Sequence, residues 1–285
     1  MISHLIRLTR RQLTRRLSIA FCLGGLTLLG VFDTAARAQT PDTVFLEELS
    51  WTELRDQIAA GKTTILVPIG GTEQSGPQMA VGKHNARARA LSEMIARKLG
   101  NTLVAPVIAY VPEGSINPPV AHMRWPGTIT ISDDVFEKLL ESAGRSFKLH
   151  GFKDVVFLGD HGGYQKDLTV VANQLNKEWA SSPARAHALL DYYKVTEATY
   201  IQALKSRGYT DAEIGTHAGL ADTSLLMAIN PRMVRTDLLP DSAKYTRADG
   251  VYGNPTRSSA ELGQLGVDAI VSQSVTAIRK AVVRP

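Results

Sequence analysis

The run TTILVPIG, residues 63–70, is apolar almost without interruption and rich in β-branched side chains. A strand with one wet face alternates apolar and polar residues, so this pattern reads as a strand buried on both faces. TLVAPVIAY (102–110) and KDVVFLGD (153–160) read the same way, and AHALLDYY (186–193) reads as a fourth strand. Helical patterns separate them. SWTELRDQIAAG (50–61) opens on Ser50 with Glu53 three residues on and ends at Gly61, a capping box and a glycine stop. NARARALSEMIARKLG (85–100) places Leu91, Met94, Ile95 and Leu99 on one stripe. Residues 132–151 begin with Ser132 as N-cap and acidic residues in the first turn. Tyr164 to Trp179, 196–206, 219–229 and 258–283 complete the helical segments. This alternation predicts a mainly parallel central sheet covered by helices on both faces, a three-layer α/β sandwich.

In such sheets the ligand site lies beyond the carboxyl ends of the strands. Glu73, Ser75 and His84 follow the first strand, Glu113 and Asn117 the second, and Asp160 and His161 the third. These polar residues are therefore expected to converge. His161 sits between a strand end and two glycines in GDHGGYQ (159–165), where an imidazole serves as a metal ligand or a general base. In GTHAGLADTSLLMAINP (215–231) a pair five apart does not share a helix face. His217 is thus expected in the entry loop and Asp222 on the helix. PPVAHMRWPGTITIS (118–132) reads as a loop followed by a short strand, in which His122 and Trp125 would shape a pocket or simply pack the loop.

Residues 1–38 join a basic stretch, an apolar run of about 16 residues and a small-residue cleavage site at Ala36 and Ala38. That order predicts a cleaved export signal, since a membrane span needs about 20 apolar residues. TRRQL (9–13) resembles a twin-arginine motif. A periplasmic location is the expectation, with residues 39–44 as a flexible lead and 45–285 as one domain. Of 32 Lys+Arg and 27 Asp+Glu, residues 1–38 hold six arginines and one aspartate, leaving 26 of each sign. The balance offers no basic surface for nucleic acid. The sole cysteine, Cys22, lies in the export segment, so the remainder has no disulfide or thiolate metal site.

Taken together, GTEQSGPQMAVGKH (71–84), GDHGGY (159–164) and HAGLADTS (217–224), with PGTITIS (126–132) and GVYGNPTRSSAELG (250–263), resemble the creatininase family of amidohydrolases. The family's first three signatures run approximately G-T-E-Q-H-G-P-H-L-P-L-G-T-D, N-G-H-G-G-N and H-A-G-x-x-E-T-S. The resemblance spans most of residues 45–280. It implies a compact α/β sandwich, a homo-oligomer, an amide-type small-molecule substrate, and a centre of zinc, manganese or iron that activates water. Residue by residue, it makes Glu73 and His161 metal ligands and His217 the proton shuttle. Asp222 stands where the family has a glutamate. Ser75 replaces a histidine ligand, Gln78 replaces a further histidine, and His84 replaces the aspartate that bridges two metals. Lys83 adds a positive charge beside the site.

Imidazole offers one lone pair to one metal and cannot bridge as a carboxylate does. The expectation is therefore a modified, mononuclear site, zinc first and manganese or iron next, with Glu73, His84, His161 and Asp222 as ligands. His217 and Asp222 would be catalytic. Trp125, His122 and Ser75 would bind substrate, and Asp160 would orient an imidazole from behind. Two other readings stay open: a small-molecule-binding protein on the same fold without catalysis, and metal-free hydrolysis with Ser75 as nucleophile. Ser75 lies outside the G-x-S-x-G elbow that would present it.

Overall fold

A computed structural model describes residues 41–283; the expected export segment lies outside them. Four parallel strands, β1 (Thr64–Ile69), β2 (Thr102–Val104), β3 (Asp154–Gly159) and β4 (Arg185–Ala188), form one sheet in the order β2-β1-β3-β4. The helices are α1 (Trp51–Ala59), α2 (Lys83–Leu99), α3 (Asp133–Leu149), α4 (Gln165–Glu178), α5 (Leu190–Glu197), α6 (Thr199–Lys205), α7 (Asp211–Ile214), α8 (Leu220–Ile229) and α9 (Ala260–Val282). Every residue of β1 and β3 is buried, as the unbroken apolar runs predict. Side chains alternate between two cores. Ile65, Val67, Val155 and Phe157 pack with Phe136 and Leu140 of α3 and with Leu168 and Val171 of α4. Leu66, Val156 and Leu158 pack on the other face with Leu91 of α2, Tyr192 of α5, Leu225 of α8 and Ile270 of α9. The result is the three-layer sandwich expected from the sequence.

Several elements differ from the sequence reading. The second strand stops at Val104, because Pro106 brings no N–H to a ladder. Beyond it the ladder is reduced to isolated bridges, Ile69 with Ile108 and Val111 with Thr130. Of the short strand expected at 126–132, that last bridge and the Ile129 N–H donating to the Thr72 carbonyl at 2.9 Å are present, without a ladder. The fourth strand ends at Ala188, and LLDYY turns into α5, burying Tyr192 and Val195 three residues apart on one helical face. The helix expected over 196–206 is split at Ala198, whose φ −118 and ψ −81 break the helical path. The lead expected at 39–44 is tied down at its end: Thr43 and Val44 are buried, and the Val104 N–H donates to the Val44 carbonyl.

The capping box at Ser50 forms as expected, with Glu53 accepting from the Ser50 N–H at 2.8 Å. Ser132 stands at the N-cap of α3, but its hydroxyl donates to Asp134 instead of capping the helix. The glycines of α9 have a packing reason. A Cβ on Gly263 would lie 1.9 Å from the Ser224 carbonyl oxygen of α8. Backbone cannot yield as a flexible side chain does, so Gly263→Ala must push α9 away from α8. The expected cost is about 1–3 kcal/mol, the range for overpacking a core, read as a lower denaturant midpoint in equilibrium unfolding.

Candidate metal centre

The carboxyl ends of the strands deliver the polar residues. Glu73 lies on the loop after β1, Glu113 beyond β2, and Asp160 and His161 directly after β3. α2 contributes Lys83, His84 and Arg87 from its first turns, a 3-10 turn at Ala121–Arg124 contributes His122, and His217 and Asp222 come from the entry and first turn of α8. Backbone strain marks two of these positions. Ala121, before His122, and Ala218, after His217, hold φ of 48 and 54, a region that residues other than Gly and Asn seldom occupy. Gly71 is needed for a different reason: at φ 146, a Cβ there would sit 2.7 Å from Glu113 Oε1.

Glu73 is fully buried and employs its two oxygens differently. Oε1 accepts from His84 Nε2 at 2.8 Å and faces Lys83 Nζ at 3.3 Å. Oε2 faces His122 Nε2 at 3.1 Å and His161 Nε2 at 3.6 Å, and receives no hydrogen bond of proper geometry. His161 Nε2 also lies 3.8 Å from Glu113 Oε2, and neither oxygen of the buried Glu113 has a donor. One ligand atom from each of Glu73, Glu113, His122 and His161 falls within 4.8 Å of the others. Gln74 Nε2 lies 3.0 Å from His122 Nδ1, which occupies that edge of the ring and turns Nε2 to the cluster. Three buried carboxylate oxygens without donors beside two imidazoles form a donor set for a cation. Two carboxylates and two imidazoles suit zinc, manganese or iron(II). The residues present therefore fit one divalent ion.

The charges around this set support the same partition. Burial and then the neighbouring Glu73 push the Glu113 carboxyl up to about 8. Burial works against the Glu73 carboxylate too, but Lys83 and the His84 hydrogen bond outweigh it and hold Glu73 well below the usual range. Burial drives His161 down to about 4 and lowers His122, so both rings are uncharged near neutral pH. The Gly163 N–H donates to His161 Nδ1 at 3.2 Å, so binding a metal through Nε2 moves the ring proton off that nitrogen. His84 moves the other way. Burial and Lys83 oppose its charge, but hydrogen bonds to Asp160 and Glu73 raise it overall.

The placements alter several expected roles. His84 does converge on the site, but both its nitrogens are engaged, Nε2 by Glu73 and Nδ1 by Asp160 Oδ2 at 2.7 Å. It stands outside the four-residue group, which takes in Glu113 and His122 instead. Asp222 also stands outside it. Its Oδ2 accepts from Lys83 at 2.5 Å and from the Ala218 N–H at 3.0 Å, and its Oδ1 from Arg87 at 2.5 Å. Asp160 does hold an imidazole from behind, that of His84, and also accepts from the Tyr192 hydroxyl at 3.0 Å. Ser75 is buried, its hydroxyl without a partner, and it does not line the cavity over the site. Trp125 lines a separate cleft with Arg124 and Arg247, its indole N–H donating to the Ala248 carbonyl. Asn117 is exposed and lines another depression.

That cavity has a volume of about 350 Å³ and is lined by Lys83, His122, His161, Tyr193, His217 and Asp222 among others. A larger depression of about 540 Å³ beside Arg145 and Trp179 contains no histidine and lies apart from the cluster. Glu113 gives the site a pH signature. Its folded-state value near 8 exceeds the usual carboxylate value, so the metal-free fold holds a proton there that the unfolded chain releases above about pH 4.5. Stability of the metal-free protein from this group is therefore full below about pH 4.5 and lost as pH rises through about 8. His161 and His217, held below the ordinary imidazole value, add the opposite trend below about pH 6.5. The decline is therefore read as a difference: in chelator, the urea stability of the parent relative to Glu113→Gln should fall as pH rises through about 8.

Comparison with known proteins agrees with this architecture. A family model described as creatinine amidohydrolase matches residues 47–278. Over 257 residues the chain is 24% identical to creatinine amidohydrolase of Pseudomonas putida, covering 84% of this chain and 97% of that protein. Over 221 residues it is 28% identical to the mycofactocin precursor peptide peptidase of Mycolicibacterium smegmatis, covering 70% and 78%. A solved creatininase mutant of the Zn-Zn type superposes with a TM-score of 0.69 at 23% identity, covering 86% of this chain and 100% of that one. That likeness establishes the fold, and the family match extends through every strand and all the residues gathered at the sheet's carboxyl edge. The chain belongs to the creatininase (creatinine amidohydrolase) family.

Proposed function

We propose that this protein is a metal-dependent hydrolase of an amide-type C–N bond, with one divalent ion held by Glu73, Glu113, His122 and His161. The observation that carries this reading is the group of buried carboxylate oxygens without hydrogen-bond donors, facing two neutral imidazoles. The relatives named above act, by their names, on creatinine and on a peptide, and both are amide-type substrates. Zinc is the first choice on the donor set, and manganese the next, since solved creatininases include both zinc and manganese forms. A bound ion supplies Lewis acidity toward an amide carbonyl and acidifies water.

The remaining chemistry falls to the chain. His217 lines the cavity with Nδ1 3.6 Å from Glu73 Oε1. Its Nε2 lies 3.0 Å from the Gln74 backbone carbonyl, so an Nε2–H donates there and leaves Nδ1 free to accept a proton. Burial, then Lys83, hold this imidazole neutral, down to about 3. A neutral imidazole at the cavity wall can take a proton from attacking water and return it to the departing nitrogen. Asp222 acts from behind, fixing Lys83 and Arg87 and the Ala218 N–H next to His217. Tyr193 and Tyr200 line the rest of the cavity, which a compact substrate would fill.

Elemental analysis of purified protein tests this reading, with Glu73→Gln and His161→Ala alongside the parent. Each variant should bind zinc at least about tenfold more weakly, the scale on which even the outer partners of metal ligands act. Turnover on a panel of amides, lactams and formamides should fall with metal content. Metal content unchanged in both variants would exclude the proposed ligands. A loaded protein that binds panel members without turning any over would be a binding protein on this fold.

A further inference from the structure

Lys83 is buried at the centre of the charge network, with Nζ 3.3 Å from Glu73 Oε1 and 2.5 Å from Asp222 Oδ2. His84 Nε2 approaches the same Glu73 oxygen at 2.8 Å. Arg87 takes the other Asp222 oxygen at 2.5 Å and lies 3.1 Å from Asp160 Oδ2. Glu73 thus bridges two environments. Its Oε2 faces the imidazoles of the metal group, and its Oε1 faces a protein ammonium. Lys83 also lines the cavity. We propose that Lys83 occupies the second cation position of this centre, neutralising Glu73 Oε1 and Asp222 itself and limiting the site to one metal ion per chain. This rests on the one-ion reading above and names the residue that enforces it.

The physical basis is Coulombic and spatial. An ammonium in contact with Glu73 Oε1 repels a divalent ion approaching the same oxygen, and burial keeps water from screening the pair. It also fills the space between Glu73 and Asp222. Lys83→Ala removes both obstacles. It leaves Glu73 Oε1 and Asp222 Oδ2 around the vacated space, with His84 Nε2 on the same Glu73 oxygen. Two carboxylate oxygens relieved of their ammonium, with water completing the shell, are a donor set that zinc accepts.

Zinc chloride titrated into metal-free protein, with bound zinc counted by elemental analysis and calorimetry, tests the inference. The parent and Lys83→Arg are expected to saturate at one zinc per chain and Lys83→Ala at two. Adding ethylammonium, which restores the missing charge, should return Lys83→Ala toward one. Two zinc ions in the parent, or one in a Lys83→Ala variant with native circular dichroism, overturns the proposal. A parent that binds no zinc overturns the metal reading itself. Should Lys83→Ala fail to fold, cobalt-substituted parent protein decides by electron paramagnetic resonance. An isolated-ion signal at every loading supports the proposal, and a magnetically coupled pair overturns it.

Discussion

Glu73 carries a full charge in a place where water cannot reach it, and the surrounding residues are arranged to offset that cost. An isolated carboxylate in a protein interior would neutralise or destabilise the fold. Lys83 and His84 on Oε1 keep it ionised, and His122 and His161 flank Oε2. The compensation then spreads. Lys83 needs Asp222, Asp222 draws Arg87, and Arg87 and His84 meet at Asp160. One network thereby joins the loop after β1, the end of β3, the start of α2 and the start of α8. Removing one member leaves its partner buried and unpaired, which is why buried ionic networks tolerate single substitutions poorly. Glu113 lies outside this compensation, and its raised value marks the place where a further positive charge fits.

The sheet supplies the convergence. Parallel strands end at the same edge, so chain segments far apart in sequence arrive within hydrogen-bonding distance. Tyr164 secures the arrangement: its buried hydroxyl donates to the Gly70 carbonyl at 2.6 Å and accepts from the His161 N–H at 3.1 Å, locking the β1 and β3 exits together. The strained alanines beside His122 and His217 show where loop geometry yields to side-chain placement.

The layer architecture was legible because β1 and β3 are apolar throughout and the helices have clear stripes. Convergence of Glu73, Glu113, Asp160 and His161 followed from topology alone. What sequence could not convey was direction. His84 looks like a replacement ligand because imidazole binds metals, yet the same ring accepts a structural role when a carboxylate meets each nitrogen. His122 lies in a loop whose pattern suits a surface turn, and only Gln74, 48 residues away, fixes its ring against Glu73. Trp125 has the aromatic character of a pocket wall, but its indole N–H is drawn to Ala248, outside the cavity. Likewise LLDYY has strand-like residues, and only the packing of Tyr192 under Asp160 selects the helix.

The start of α2 shows how far the site overrides local preference. A helix N-terminus favours acidic residues and a side-chain cap. α2 has neither: Gly82 provides no cap, no acid occupies the first turn, and Lys83, His84 and Arg87 crowd positive charge there. Lys83 and Arg87, four residues apart, would repel on an isolated helix. Asp222 reverses this by placing one oxygen on each, while Asp160 and Glu73 hold His84 between them. The unfavourable helix start is therefore stable only with three carboxylates from three other segments in place. Local rules broken in this way mark a site whose charges are set by function rather than by folding. Cations needed merely to balance Glu73 would not have to begin a helix, whereas an ammonium placed against both Glu73 Oε1 and Asp222 beside the cavity can come from this position on α2.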